Sequence, residues 1–322
     1  MMMVMETTNT SEKTGIKDVP IDLELANISV HFSDLSGSVY SMDWRYLASI
    51  WDRDTTWDDI LQHAAQNTNE MMLSSSAKGT FQQQLKGNNI TTIFHTIPKT
   101  ASSTLRGACM ETQYDSCNLE RKPEKMKWPD GYQTLKRLMQ LFEECPDTRH
   151  FCVRGMPRRP FISRNFKDFY NTRSFLHLFP FRNYDEWATS ALHQISYRDG
   201  EEGCEKEDEL LDECLPHQYE LDFGKYTKSI MAEFIAQFKL FQRRNNGNKT
   251  AENNNAHHHI LLHNFEQLDD TLTWLHASFG VPLLPGTGKN LNSDRPKESC
   301  KNEESMMQKF HECFSKDLAR LY

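Results

Sequence analysis

The chain has 322 residues, 38% of them hydrophobic, enough to bury one large core or to divide into two domains. Its formal charge of −8 argues against a nucleic-acid binder, which carries a basic face. A ligand with several negative charges would have to be held by local Lys, Arg and backbone N–H groups against that field.

From the N-terminus, residues 1–14 are rich in Met, Thr, Ser and Glu without periodicity and read as disordered. The sequence shows no signal-peptide apolar core and no apolar run of membrane length. Two helical patterns follow. Asp43 to Trp51 carries Trp44, Leu47 and Trp51, and Thr55 to Ala65 carries Trp57, Ile60, Leu61 and Ala64. Residues 1–88 therefore read as a disordered start and a small helical extension packed on the core, and residues 89–322 as the main domain.

The most informative stretch is next. The β-prone run Thr91-Thr92-Ile93-Phe94 ends in Pro98-Lys99, then small and hydroxyl residues lead into a helical pattern. A strand, a tight loop and a helix N-terminus hold phosphate well, because unpaired N–H groups and the helix dipole both favour an anion. Lys99 adds a full charge, and Thr100, Ser102, Ser103 and Thr104 add hydroxyl donors. The order differs from the Walker A loop, where the Lys closes a Gly-rich turn.

Phe151-Cys152-Val153-Arg154 reads as a short strand, and Ser174 to Phe181 as a buried one broken late by Pro180. Arg182 follows. Asn183 has the signature of a helix cap with Glu186 three residues on, and Trp187, Ala188, Ala191, Leu192 and Ile195 give that helix an apolar face. Ser190 stands eight residues after Arg182, about two turns into the helix. An Arg fork suits phosphate, and a Ser hydroxyl supplies a further donor.

These two motifs together resemble the sulfotransferases that use 3′-phosphoadenosine-5′-phosphosulfate, most closely the Golgi carbohydrate branch. Ile97-Pro98-Lys99-Thr100 and Ser103-Thr104-Leu105 match its 5′-phosphosulfate loop, with Ala101 and Ser102 where two small residues, often Gly, are usual. Arg182 and Ser190 match its 3′-phosphate pair, while Asn183-Tyr184 replaces the usual Asp-Pro and Trp187 replaces a mid-motif Arg. Ile260 to Leu268 is similar to the family's late strand and Glu-x-Leu turn, and Lys316 to Tyr322 to its closing helix, so the resemblance covers residues 89–322.

It implies an α/β fold of the P-loop NTPase-like three-layer sandwich kind, with a mainly parallel sheet. It also implies sulfuryl transfer to a hydroxyl of a carbohydrate or glycolipid, with no metal. Lys99 and the loop from Thr100 through Ala101, Ser102, Ser103 and Thr104 would hold the 5′ side, and Arg182 with Ser190 the 3′-phosphate. Relatives take the acceptor proton with a Glu soon after the first helix or a His near the second strand. Here that gives Glu111 and His150 equal standing, with Glu120 and His193 behind them; the His that relatives place after a Gly in the second strand's exit loop is absent, since Met156 follows Gly155. A loop around Asn290 to Ser293 would close over the nucleotide. The resemblance implies the Golgi lumen or another secretory compartment, although its members usually carry an N-terminal membrane anchor; a cytosolic location stays open. A catalytically silent nucleotide- or glycan-binding relative remains an alternative. So does an ATP-dependent P-loop phosphotransferase, for which Glu266 is the candidate Mg²⁺-binding acid.

The remaining elements are regular. Asp222 to Arg244 is a long helix with Phe223, Tyr226, Ile230, Phe234, Phe238 and Phe241 on one face, read as core, and it stops at Asn245-Asn246-Gly247. Gln267 to Phe279 and Glu303 to Tyr322 are further amphipathic helices. Strands alternating with helices indicate an α/β fold. The eight cysteines include no C-x-x-C pair and permit, without requiring, four disulfides. Sequons at Asn9, Asn27, Asn89 and Asn248 fit a secretory route and also arise readily by chance in an Asn- and Thr-rich chain. His257-His258-His259 with His263 reads as the opening of a strand rather than a metal site, and Glu201 to Glu213 as a solvated acidic loop.

Overall fold

The structure, a computed structural model, describes residues 28–36, 38–70, 90–97, 100, 150–154, 174–190, 226–246, 258–281 and 303–321. Its strands are β1 (Ser29–Ser33), β2 (Val39–Asp43), β3 (Ile90–Thr96), β4 (His150–Arg154), β5 (Ser174–Phe181) and β6 (His258–Asn264). Its helices are α1 (Trp44–Ile50), α2 (Trp57–Glu70), α3 over 184–190, α4 (Thr227–Asn246), α5 (Leu268–Phe279) and α6 (Glu303–Leu321), with a 3-10 turn at Phe265–Gln267.

Among the described residues the strands form one sheet in the order β2-β1-β6-β5-β3-β4. Five run parallel, and β2 pairs antiparallel with β1 at the edge. Buried parallel strands read as continuous apolar runs because both faces are covered, and all eight residues of β5 are buried. Alternate side chains enter opposite layers. Ile93, Phe175, Phe179 and Leu262 join the cluster that includes α1, α2, α3, α4 and α6. Phe94, Leu176, Leu178 and Leu261 join the cluster that includes α5. Helices on both faces of a mainly parallel sheet make the fold α/β.

The N-terminal segment departs from the sequence reading. Its two helices form as the periodicity predicts. Asp43 Oδ1 accepts from the Arg45 N–H at 2.8 Å and starts α1. Thr56 and Asp59 exchange hydrogen bonds as a capping box that starts α2. The segment is nevertheless more than a helical extension, because β1 and β2 belong to the central sheet. The pattern around Val30 to Met42 is short and rich in Ser, which hides two strands from a periodicity scan. Trp44 and Trp51 are fully buried in the core cluster shared with the sheet, and truncating a buried Trp to Ala typically costs about 3–5 kcal/mol.

Elsewhere the agreement is close. Strand β5 has the expected bounds, β4 begins one residue early, α4 ends at Asn246, and α5 and α6 fall within a residue of expectation. Helix α5 stops at Gly280, whose φ of 69° lets its N–H turn back to the His276 carbonyl at 2.9 Å. The aromatic stripe of α4 is core, with Tyr226, Ile230, Phe234 and Phe238 all buried. The sequons, the acidic segment 201–213 and the loop 290–293 lie outside the described residues.

Candidate functional site

The five parallel strands discharge their C-terminal ends along one edge of the sheet. The chain passes from β3 to β4 on one side, then resumes at β5 and β6 on the other, so strand order reverses between β3 and β5. In open parallel α/β sheets, ligands bind outside the carboxyl ends of the strands at such a reversal. Strands β3 and β5 are hydrogen-bonded neighbours with Phe94 opposite Leu178. Carrying that register three residues on sets Ile97 level with Phe181. The last described residue of the β3 exit, Ile97, and the end of β5 at Phe181 therefore lie side by side, one strand spacing of about 4.8 Å apart at the backbone.

The β3 exit is a tight turn. Thr100 donates its N–H to the Ile97 carbonyl at 3.3 Å and its hydroxyl to the same oxygen at 2.8 Å. Both groups are buried. The Thr100 proton thus closes the loop on itself, a shaping role where the sequence suggested a ligand donor. Pro98, Lys99, Ala101, Ser102, Ser103 and Thr104 lie outside the described residues.

The β5 exit is built as the sequence predicts. Asn183 Oδ1 accepts from the Asp185 N–H at 2.9 Å and from the Glu186 N–H at 3.4 Å, which caps α3. Asn183 Nδ2 donates to the Thr55 carbonyl at 3.3 Å, tying the cap to the N-terminal segment. Asn264 repeats the device at the end of β6, its Oδ1 accepting from the Glu266 N–H at 3.2 Å.

Arg182 sits between these two ends. Its Nε lies 3.7 Å from Glu186 Oε2, and its Cζ stands 4.6 Å over the Phe265 ring. Burial lowers its pKa from the usual guanidinium value, against the opposing pull of the Glu186 and Glu266 carboxylates. A guanidinium remains charged under such a shift. Glu186 and Ser190 stand four residues apart on one row of α3, and the Arg182 side chain, from just before the helix cap, reaches Glu186 on that row. Tyr184, Trp187 and Ala188 face the core from the other side. Ser190 is half-buried on the row that already meets Arg182.

Sequence reasoning missed three features here: Phe265 beneath the guanidinium, the carboxylates of Glu186 and Glu266 beside it, and Tyr226 behind it. The Glu186 partner was legible in the four-residue spacing; Phe265, Glu266 and Tyr226 come from distant segments. Glu266 lies just past the end of β6, where the phosphotransferase alternative needs an acid, and it is near Arg182.

The structure does not bring His150 to this edge. His150 opens β4 and pairs with Thr92, five residues before Ile97, so its backbone stands about 16 Å from the loop at the far end of the strands. A residue that precedes a strand lies, in a parallel sheet, opposite the edge where the strand delivers its C-terminus. Glu111, Glu120 and His193 lie outside the described residues.

Deeper in the sheet, histidines form a separate cluster. His95 stacks on Phe179 with ring centroids 3.9 Å apart, and its Nε2 meets His177 Nδ1 at 3.2 Å. Phe234 of α4 closes over both rings. Burial pushes the His95 pKa down to about 3, and burial with the neighbouring imidazoles lowers His177 strongly. On the other face His31 and His259 lie 5.7 Å apart, and burial takes His31 to about 3. These imidazoles are neutral parts of the core. Among the described residues no cluster of His, Cys, Asp or Glu could hold a metal ion, and no helix is long and apolar enough to cross a membrane.

Fold and site define an open, mainly parallel α/β sheet that places Arg182, with Glu186 and Glu266 near it, at the strand-end edge beside the topological reversal. No protein-family model matches the chain, and no curated protein matches its sequence.

Proposed function

We propose that the protein is a sulfotransferase that moves a sulfuryl group from 3′-phosphoadenosine-5′-phosphosulfate to a hydroxyl of a carbohydrate or glycolipid. The observation that carries this reading is the adjacency of the two motif-bearing strand ends. Register sets the exit of β3, which leads into Lys99, beside the exit of β5, which leads into Arg182. Neighbouring exits of strands distant in sequence support a site shared by the two motifs, as the two halves of a nucleotide site require.

In this reading the sheet belongs to the P-loop NTPase-like three-layer sandwich class. Lys99 and the N–H groups of residues 101–104 stabilise charge developing on the leaving phosphate oxygen, a preorganised electrostatic term. Arg182, aided by Ser190, holds the 3′-phosphate through charge-assisted hydrogen bonds and fixes the nucleotide in line with the acceptor. As the acceptor oxygen bonds to sulfur, the bond from sulfur to the phosphate oxygen breaks, and the hydroxyl proton passes to a base. Glu111 is the base candidate kept here, since His150 opens its strand at the opposite edge. The secretory pathway is the working compartment that this reading implies.

One observation favours a second reading, a catalytically silent relative: Glu186 already stands beside Arg182 and would meet an incoming phosphate with like charge. Incubating the protein with sulfur-labelled donor and a panel of glycans and glycolipids tests both. Label transfer to one acceptor class supports the enzyme. Tight binding of adenosine 3′,5′-bisphosphate with no transfer to any acceptor supports the silent relative. Binding of ATP with Mg²⁺ in preference to the bisphosphate would overturn both.

A further inference from the structure

Arg182 lies one residue beyond the last paired position of β5, Phe181 opposite Asn264, so its main chain has left the ladder that fixes the strand. Other groups hold it there. The Thr227 hydroxyl donates to the Pro180 carbonyl at 2.8 Å, and the Tyr226 hydroxyl donates to the Arg182 carbonyl at 3.0 Å. The Asn183 carbonyl accepts the first helical hydrogen bond, from the Trp187 N–H at 3.0 Å. Carbonyls at 180, 182 and 183 are thus held from behind, two of them by side chains at the start of α4.

The Tyr226 bond has a fixed direction. Trp51 Nε1 donates to the Tyr226 oxygen at 3.2 Å. An indole N–H only donates and a backbone carbonyl only accepts, so the single phenolic proton must point at Arg182. Trp51, Tyr226 and the Arg182 carbonyl form a one-way relay that is fully buried at its two aromatic members. The Tyr226 ring is wedged against Trp51, Tyr184 and Trp187 at centroid distances of 6.1, 5.3 and 5.2 Å. Those contacts leave the hydroxyl one orientation.

We propose that Tyr226, backed by Trp51, is a positioning residue that aims the Arg182 guanidinium at the nucleotide's 3′-phosphate. The N-terminal segment is then a working part of the site, since Trp51 orients Tyr226 and the Thr55 carbonyl anchors Asn183. The inference rests on the sulfotransferase reading and adds to it a residue from outside both motifs.

The test is a double-mutant cycle read by calorimetric titration of the full chain with adenosine 3′,5′-bisphosphate and with adenosine 5′-monophosphate. Tyr226→Phe keeps the ring packing and removes only the hydroxyl. It should weaken bisphosphate binding roughly three- to tenfold, the range of one net hydrogen bond, and leave monophosphate binding unchanged. In an Arg182→Ala background Tyr226→Phe should add nothing, because it acts through Arg182. Equal weakening of both nucleotides, the same loss in both backgrounds, or no loss at all would overturn the proposal. A wild-type protein that binds the two nucleotides alike would overturn the sulfotransferase reading first, before any variant is made. Thermal melting reports whether each variant is folded. If Tyr226→Phe does not fold, Trp51→Phe carries the same cycle, with the same supporting and overturning results.

Discussion

Strand β5 holds polar groups in two places, and they behave oppositely. At its centre, His177 lies under Phe234 beside His95, and burial strips both imidazoles of charge at neutral pH. At its C-terminal end, Arg182 keeps its charge, partly open to solvent, with an aromatic ring beneath it and carboxylates nearby. A few residues along the chain separate a neutral, buried imidazole from a charged guanidinium. Depth decides it, because the penalty for charge grows as water is removed.

The largest effect that separates the two places is acid lability. Each buried imidazole has a folded pKa below its ordinary 6.5, to about 3 for His31 and His95 and about 4 for His263. Below pH 6.5 the unfolded chain therefore binds protons that the folded chain refuses. The stability these groups leave intact above pH 6.5 is lost as pH falls through 6.5 toward 4 and 3. Each site removes roughly 1.4 kcal/mol per pH unit, so several together rival the roughly 5–15 kcal/mol of a whole domain. Urea unfolding at pH 7.5 and 5.5 should show a steep decline, flattened by His95→Gln with His177→Gln. Equal stability at both pH values would break the comparison at its interior end.

At the strand-end edge, Lys99→Ala should lower turnover a hundredfold or more, about 2.7–4 kcal/mol, as loss of one preorganised donor does. Binding of the bisphosphate product should weaken far less. Near-normal turnover would remove the leaving-group role. Ser190→Ala should weaken the bisphosphate by about 0.5–1.5 kcal/mol, the net value of one hydrogen bond; unchanged affinity would place Ser190 outside the site.

The smallest effect sharpens the edge itself. Glu186 is half-exposed, and an exposed pair of this kind contributes about 0.2–1 kcal/mol. Glu186→Gln should therefore raise bisphosphate affinity by a few-fold, more at low salt. Weaker binding in this variant would mean that Glu186 orients Arg182 instead of competing with phosphate.

Much of this was legible in the sequence. Strand β5, the Asn183 cap and α5 follow from local signals: an unbroken apolar run, an Asx cap, a 3.6-residue period ended by Gly280. Strands β1 and β2 were not legible, because Ser, His and Asp interrupt them and their apolar faces become meaningful only beside β6. The place of His150 was hidden for a related reason. Nearness to a strand in sequence does not say which end of the sheet a residue occupies, and parallel topology puts a strand's first residue at the edge opposite the strand ends. Tyr226 and Trp51 were read as core aromatics, which they are; that the Tyr226 hydroxyl reaches the Arg182 carbonyl depends on the packing of three distant segments.

The central claim is that the strand-end edge at β3 and β5 binds a nucleotide through its 3′-phosphate by way of Arg182. Calorimetric titration of wild type and Arg182→Ala with adenosine 3′,5′-bisphosphate and adenosine 5′-monophosphate tests it most directly. Wild type should prefer the bisphosphate, and Arg182→Ala should lose about 1.5–3 kcal/mol of that preference, the range for a hydrogen bond to a charged group, with monophosphate affinity retained. A preference that survives in Arg182→Ala, or that is missing from wild type, would contradict the account.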